Sequence, residues 1–189
     1  MKSIRIIIVA MIAILTAGLN AQEVKVDVVK STLKWEGKKV GGAHDGYIKL
    51  KKGQLSISGD KIVSGLFVID MTTITNEDIE SKEYKDKLVG HLKSDDFFGV
   101  EKYPTSTLKV NSSTKFVDNK AKVVGELTIK GKSNPIEFDV VRKGKVYTAI
   151  LTVDRSKYNV RYGSKSFFDN LGDKVIYDEF TLEVSLVSL

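Results

Sequence analysis

The chain has 189 residues, no cysteine and a formal net charge of +6, from 30 lysines and arginines against 24 acidic residues. The absence of cysteine excludes disulfides, thiolate catalysis, thiolate metal sites and a lipid-modified N-terminal cysteine. The lysines are spread over many segments, which is typical of a solvated outer face and argues against a nucleic-acid partner.

The N-terminus has the features of a secretory signal. A basic start with Lys2 and Arg5 is followed by an apolar run, and small residues then lead to Ala21. The apolar run is shorter than the roughly 20 residues that a membrane-spanning helix needs. We predict a signal peptide over residues 1–21, cleaved near Ala21, and one domain over residues 22–189 that is periplasmic or secreted. An uncleaved signal anchor is the alternative.

The region after the signal is dominated by alternation of apolar and polar residues, which is typical of strands with one dry face and one wet face. From Lys120 to Lys130 every second residue is small or apolar, and most residues between them are charged or polar. Eight such segments predict eight strands, several of them joined by tight turn signals. They are Val24 to Trp35, Gly46 to Ser58, Lys61 to Ile74, Tyr103 to Asn111, Lys120 to Lys130, Asn134 to Lys143, Lys145 to Asp154 and Val175 to Val187.

The stretch from Asn76 to Leu92 has a different period. Tyr84, Leu88, His91 and Leu92 recur there at helical spacing among charged residues. Asn76 or the residue before it suits an N-cap, and acidic residues follow in the first turn. This pattern predicts one helix inserted between strands 3 and 4.

A cluster of unusual composition follows the predicted helix. Ser94 suits an N-cap, and Asp95 and Asp96 suit the positive end of a new helical turn. Phe97 and Phe98 then stand on a short turn with no amphipathic partner face. At least one of these two rings must therefore plug a space outside the turn.

Long strands with one dry face each bury those faces only when the sheet is covered or curls onto itself. Closure into a barrel also removes unpaired edges. We therefore predict a mainly β fold, an eight-stranded antiparallel barrel whose inserted helix covers one mouth. Periodicity does not distinguish inside from outside, so an integral eight-stranded outer-membrane β-barrel is the alternative. Charged strand residues, the charged helix and the lack of aromatic girdles weigh against that alternative.

Five groups of residues, in order along the chain, carry a family resemblance. They are Trp35 to Lys38 with Gly41 to Gly46, Val68 to Ile74, His91 to Phe98 with Tyr103 and Pro104, Gly125 to Gly131 with Asn134 to Ile136, and Asp154 to Val160 with Tyr162 and Gly163. Together they resemble the YceI-like family of lipocalin-like β-barrel proteins that bind isoprenoid-type lipids. The resemblance covers essentially the whole predicted mature chain.

The resemblance implies a lipocalin-like barrel whose interior channel holds a long apolar chain, such as a polyisoprenoid or a prenylated quinone. It also implies export to the periplasm and no catalysis. We further predict that the protein has no cofactor and does not insert stably into a membrane. Lys132, Ser133 and Asn134 depart from the family pattern, but they stand in a turn. The identity of the ligand stays open because it depends on lining side chains, and monomer and homodimer are both open.

Ten apolar residues are candidates for the lining of this channel: Phe67, Ile69, Phe97, Phe98, Leu127, Ile129, Phe138, Val140, Phe180 and Leu182. Ordinary core packing is the alternative for each, because side chains can fill an eight-stranded barrel. His44, Arg155 and Arg161 are candidates for contact with a polar headgroup. A guanidinium suits a pyrophosphate or quinone oxygen, and structural bracing is the alternative for both arginines.

No constellation of residues indicates catalysis. With only two histidines, His44 and His91, and no cysteine, a zinc site would have to recruit carboxylates. Asp95 and Asp96 are adjacent and point apart, whereas glycoside hydrolysis needs two carboxyl groups facing one bond. Nucleotide-binding loops and Ser-His-Asp motifs are missing from the sequence. We therefore predict a non-catalytic protein, without metal, that transports, stores or sequesters its ligand.

Overall fold

The computed structural model describes residues 21–189, so the predicted signal peptide lies, apart from Ala21, outside the described residues. Eight antiparallel strands form one closed barrel in sequence order. They are β1 (Gln22–Lys39), β2 (Gly42–Ser58), β3 (Lys61–Asp70), β4 (Thr105–Ser113), β5 (Lys120–Ile129), β6 (Lys132–Lys143), β7 (Val146–Asp154) and β8 (Ile176–Ser188). One α-helix, α1 (Lys82–Lys93), lies between β3 and β4. The predicted eight-stranded barrel with one inserted helix is therefore confirmed.

The apolar faces of the strands point into the barrel. In β5 the residues alternate between buried and solvent-facing along nearly the whole strand, with Ala121, Val123 and Leu127 inside. Lys122 and Glu126 lie on the outer face between them. An outer-membrane barrel has the reverse distribution, with its apolar band outside. That alternative is therefore not favoured.

Within residues 21–189, the structure contains no helix that is both long enough and apolar enough to cross a membrane.

The helix begins later than the sequence predicts. It starts at Lys82, because Asn76 packs instead against the hairpin between β1 and β2. The Asn76 Nδ2 group donates to the carbonyl of Asp45 at 3.0 Å, and its Oδ1 accepts from the N–H of Ile79 at 3.1 Å. These contacts hold the segment before α1 as a loop, so the prediction of Asn76 as a helix cap was wrong.

The predicted N-cap role of Ser94 was also wrong, because Ser94 ends α1 instead of starting a new helix. Its N–H donates to the carbonyls of Gly90 and His91, and its hydroxyl donates to His91 at 2.8 Å. The following residues form turns, closed by bonds from Phe97 and Gly99 to the Ser94 carbonyl. The two phenylalanines are thereby presented on a tight connection between α1 and β4.

The two ends of the barrel differ. At the helix end, defined by the start of β4 and the end of β5, Leu92 of α1 and Phe97 of the turn after it join the buried core of the barrel. At the far end, defined by the β6–β7 hairpin, Phe116 packs edge-to-face on Tyr147 with ring centroids 6.5 Å apart. The N–H of Phe116 donates to Asp60, and the Arg142 guanidinium lies 4.4 Å from the Phe116 ring centre. Phe116, Tyr147 and Arg142 thus pack together at the far end.

The seam between β6 and β7 is the shortest strand contact in the wall. These strands share four paired residues, next to their hairpin, whereas β7 and β8 share nine. The N–H of Arg142 donates to Asn119 on the β5 side. The direction of the N–H groups alternates along an antiparallel strand, so the nitrogen of Pro135 points away from β5 and towards β7. At this position β6 is not paired with β7, and the proline therefore removes no hydrogen bond from the sheet.

Candidate functional site

An apolar cavity of about 180 Å³ lies inside the barrel. Residues from all eight strands, from α1 and from the turn after it line this space. The cavity is larger than an engineered one of about 150 Å³ that stays dry and binds benzene. Among the described residues that line it, Arg155 is the only charged one. The walls thus suit an apolar guest and offer water few partners.

All ten residues predicted to line a channel lie on the wall of this cavity. They are Phe67, Ile69, Phe97, Phe98, Leu127, Ile129, Phe138, Val140, Phe180 and Leu182. Phe98, Phe138, Phe180 and Leu182 are only partly buried, because part of their surface faces the empty interior. The barrel is therefore not filled by its own side chains, and ligand binding by these ten stays a prediction.

Sequence reasoning missed several lining residues. The aliphatic side chains of Leu33, Ile48 and Leu50 line the cavity from β1 and β2, and their alternation with lysines would have revealed them. Trp35, the one tryptophan in the chain, is also on the wall. Because its indole lies beside the space that a guest would fill, it provides an internal fluorescent reporter of binding.

Phe97 and Phe98 close the helix end. The Phe97 ring is buried and makes edge-to-face contacts with His91 and Phe98, with centroids 5.8 and 5.0 Å away. Phe98 contacts Phe180 on β8 in the same way, at 6.5 Å. The expectation that at least one ring plugs a space outside the turn is confirmed for both, since both line the cavity.

Lys130, at the end of β5, holds the turn that carries the two rings. Its Nζ donates to the carbonyls of Asp95 and Phe97 at 2.8 and 2.7 Å. Burial lowers the pKa of Lys130, and the carboxylates of Asp95 and Asp96 oppose that shift. Lys102 pairs with the Asp95 side chain. Asp95 is thus in contact with two lysines, through its carbonyl and its carboxylate.

Arg155 follows β7 at the helix end and is 2% exposed. Its Nε, Nη1 and Nη2 groups donate to the carbonyls of Tyr177, Val160 and Ile176 at 3.2, 2.9 and 2.9 Å. Its Nη2 also lies 3.3 Å from Oδ1 of Asp178. Burial lowers the pKa of Arg155, and Asp178 and Asp154 oppose this. Arg155 therefore braces the connection from β7 to β8 while lining the cavity.

Arg161 does not reach the cavity. It is exposed, its Nε donates to Oδ1 of Asn159 at 2.6 Å, and its guanidinium lies 4.9 Å from the ring centre of Phe167. It borders a surface pocket of about 690 Å³ together with Lys130 and Lys174. The structure therefore separates Arg161 from Arg155.

His44 also lies outside the cavity, on the hairpin between β1 and β2. The His44 Nδ1 atom lies 2.8 Å from Oδ2 of Asp78. The other carboxylate oxygen of Asp78, Oδ1, accepts hydrogen bonds from the N–H of Asp45, at 3.0 Å, and from Nδ2 of Asn76. These contacts attach the loop before α1 to the barrel. Of the three predicted headgroup residues, only Arg155 is on the cavity wall.

The family model described as the YceI-like domain matches residues 24–188. The chain belongs to the YceI-like family. The match begins at the third residue of β1 and ends at the last residue of β8, so it spans the whole barrel. The family resemblance carried by the five sequence segments is thereby confirmed.

Two solved structures share this YceI-like fold. The crystal structure of Burkholderia cenocepacia BcnA is 26% identical, with a TM-score of 0.67 over 87% of this chain and 99% of that one. A polyisoprenoid binding domain from Saccharophagus degradans, implicated in plant cell wall breakdown, is 18% identical, with a TM-score of 0.62 over 87% and 97%. At 18% identity the second likeness shows the fold alone.

A curated relative is also similar in sequence. A UPF0312 protein of Staphylococcus aureus is 38% identical over 101 residues, which are 48% of this chain and 55% of that protein. The YceI-like chain thus matches about half the length of this relative.

Across residues 21–189 of the YceI-like barrel, no three histidine or acidic side chains come together as a metal site. Of the two adjacent acids in the turn after α1, Asp95 pairs with Lys102. The polar groups that the cavity itself offers come from residues such as Ser106 and Arg155. Chemistry at this site is therefore dominated by apolar contact.

The Asp78 cluster gives the barrel a pH dependence. Burial alone raises the pKa of Asp78, but hydrogen bonds from the Asp45 N–H, His44 and Asn76 outweigh it and lower the pKa from 3.8 to about 2. A carboxylate whose pKa is lower in the folded state stabilises the fold above the unfolded-state pKa. That contribution is lost as the pH falls through the folded-state pKa.

We expect Asp78→Asn to lose about 1 to 2 kcal/mol of unfolding free energy at neutral pH, allowing for partial exposure of the side chain. The difference from the wild type should shrink between pH 4 and pH 2. Urea unfolding at stepped pH measures it, with Asp139→Asn on the exposed face of β6 as the control. A difference that stays constant down to pH 2 would contradict this assignment.

Proposed function

We propose that this chain is an exported, non-catalytic protein that binds a long apolar isoprenoid-type lipid, such as a polyisoprenoid or a prenylated quinone, inside its barrel. The bound molecule is transported, stored or sequestered. The observation that carries the proposal is the cavity of about 180 Å³ inside the barrel, lined almost wholly by apolar side chains.

Physical chemistry favours a hydrocarbon guest over water in this space. Burial of apolar chain contributes about 0.8 kcal/mol per CH₂ group, without any specific motif. A water molecule needs two to four polar partners to be held stably, and the lining offers few. The cavity therefore gains most from a flexible apolar chain that follows the barrel axis.

Family membership supports the same proposal. The Saccharophagus degradans domain of the same fold is a polyisoprenoid binding domain. The ten lining residues proposed to bind the ligand include Phe97 and Phe98 of the turn after α1. These two rings lie where the hydrocarbon chain of a ligand would pass through the helix end of the barrel. The N-terminal sequence, with its basic start and apolar run, supports export to the periplasm or beyond.

The test is to purify the protein from its own host without detergent and to examine it by native mass spectrometry and lipid extraction. We expect an apolar molecule bound at one copy per chain, and the protein in the soluble periplasmic or secreted fraction. Recovery of protein without any apolar molecule, together with failure to take up added isoprenoid, would refute the proposal. Recovery only with the outer membrane would favour the integral barrel.

A further inference from the structure

The connection from β7 to β8, residues 155–175, presents three aromatic side chains to solvent at the helix end of the barrel. Tyr162, Phe167 and Phe168 are 49%, 37% and 48% exposed. Phenylalanine is among the residues most often fully buried, and a cluster of large exposed apolar side chains marks an interaction surface. These three rings do not line the cavity, so a ligand inside the barrel does not explain them.

The three rings stand on a firmly packed stretch of backbone. Val160 and Val175, on either side of them in the chain, are 0% and 2% exposed. Between them, the carbonyl of Ser164 accepts hydrogen bonds from the N–H groups of Phe167 and Phe168 at 3.2 and 3.0 Å. The exposure of the rings therefore belongs to the folded backbone and is not that of a loose segment.

Basic residues alternate with the rings along the chain. Arg161 precedes Tyr162, and Lys165 lies between Tyr162 and the two phenylalanines. No ion pair found among residues 21–189 involves Arg161 or Lys165. The exposed charged residues of the whole connection are Lys157, Arg161, Lys165 and Lys174 on the basic side and Asp169 and Asp173 on the acidic side. The rings therefore lie in a surface with an excess of positive charge.

The rings and the basic groups are also neighbours in space. The Arg161 guanidinium lies 4.9 Å from the ring centre of Phe167. Arg161, Tyr162, Phe168 and Lys174 border one surface pocket. We call residues 161–174 the aromatic-basic loop.

The composition of this loop selects the kind of partner. Lysine is depleted in the cores of protein–protein interfaces. Aromatic rings flanked by lysine and arginine are instead typical of surfaces that lie at a bilayer, where the rings enter the headgroup region and the basic groups meet anionic lipids. A small free anion in the pocket is disfavoured, because Asp95 and Asp96 also border it. An anionic bilayer is therefore the partner whose charge and apolar depth complement the loop.

We propose that the aromatic-basic loop docks the barrel reversibly on the surface of an anionic phospholipid bilayer. The docking itself does not depend on what the barrel binds. Its use rests on the proposed function, because an isoprenoid-type lipid is stored in membranes and must leave or enter them. The loop lies at the same end of the barrel as Phe97 and Phe98, which line the cavity, so docking brings that end to the lipid surface.

The test is flotation of the purified protein with vesicles of phosphatidylcholine that contain about 30% phosphatidylglycerol, compared with vesicles of phosphatidylcholine alone. At low ionic strength we expect at least about tenfold tighter binding to the anionic vesicles. About 0.5 M salt should release the protein because it screens the charges, whereas an integral barrel would stay in the membrane. The double variant Phe167→Ser with Phe168→Ser should bind about 30-fold more weakly, since two rings no longer enter the bilayer.

Tyr47→Ser is the matched control for the rings. Tyr47 is 44% exposed on the outer face of β2, away from the loop, so its loss should leave vesicle binding unchanged. All these side chains are largely exposed, so urea unfolding of each variant should stay close to that of the wild type.

Two pairs of substitutions separate the loop from net charge alone. Arg161→Gln with Lys165→Gln should weaken binding to the anionic vesicles about tenfold, because each basic residue near such a surface contributes up to about fivefold. Lys109→Gln with Lys120→Gln removes the same charge from exposed positions on β4 and β5. That second pair should bind within about twofold of the wild type, because charges beyond a Debye length are screened.

The outcomes distinguish docking from the proposed function. Docking would be overturned if the wild type bound neither kind of vesicle or both equally well, if the serine double variant still bound, or if both charge pairs weakened binding alike. Self-association of the wild type through these rings, without vesicle binding, would assign the surface to a second copy of the chain instead. Isoprenoid binding is measured separately in solution by Trp35 fluorescence, so its failure would refute the proposed function and leave the docking result standing.

Discussion

Replacing Ala149 with phenylalanine is expected to abolish ligand binding while the barrel stays folded. Ala149 lies on β7 opposite Val140 of β6 and Val184 of β8, and its side chain lines the cavity. A phenyl ring at this position would enter the space that an apolar chain needs. We expect a loss of affinity of at least about 100-fold, since a ring and a ligand cannot share one cavity.

The cost to the fold should be smaller than for a usual core overpacking. Extra bulk in a close-packed core costs about 1 to 3 kcal/mol because neighbours must move. Here part of the ring enters existing empty space, so we expect the lower part of that range. Urea unfolding measures this cost, and far-UV circular dichroism confirms the strand content.

Ile150→Phe is the matched control for this variant. Ile150 is the next residue of β7, points to the outer face and is 64% exposed. A phenyl ring at position 150 would stay outside the cavity. We therefore expect this variant to bind farnesylacetone, an isoprenoid ketone, with wild-type affinity, as measured by Trp35 fluorescence. Bound lipid in Ala149→Phe at the wild-type level would show that the ligand does not occupy this cavity.

Strand alternation explains why the wall of the cavity could be predicted from the sequence. A period of two decides which residues of a strand share a face, and in β5 that face includes Leu127 and Ile129. Closure of the sheet then sends every such face to one interior. The eight predicted residues that lie on strands meet there because each prediction needed only the local pattern and the number of strands. Phe97 and Phe98 instead follow from the turn after α1, which offers their rings no partner face of its own.

The contacts that could not be predicted join residues far apart in the sequence. Asn76 looks like a helix cap locally, but its side chain bonds to Asp45, 31 residues earlier. His44 is likewise paired with Asp78, 34 residues later. The period of α1 indicated a helix correctly, whereas its first residue depended on these distant partners.

Ser106 shows a different limit. In β4 most residues are polar or hydroxylic, so the sequence does not indicate which of them point inward. The register with β3 places Ser106 beside Ile69 and inside the barrel. The lack of a hydrogen-bond partner for its hydroxyl among residues 21–189 depends on the side chains packed around it, which no local pattern encodes.

Replacing Arg155 with methionine is expected to cost about 3 to 5 kcal/mol of unfolding free energy, the loss typical of removing one member of a buried ion pair. The variant leaves the carbonyls of Val160, Ile176 and Tyr177 without their donor. It also leaves the carboxylate of Asp178 without its cation. Methionine has similar length and no polar group, so the loss would come from these partners and not from a cavity.

Arg161→Met and Arg155→Lys complete the experiment. Arg161 is exposed on the same connection and bonds only locally to Asn159, so its loss should change the unfolding free energy by less than about 0.5 kcal/mol. Lysine at position 155 restores the charge, but a single ammonium cannot replace a planar fork that binds three separate carbonyls. We therefore expect Arg155→Lys to remain clearly less stable than the wild type in urea unfolding. Stability of Arg155→Met close to that of Arg161→Met would show that Arg155 is not the brace of this connection.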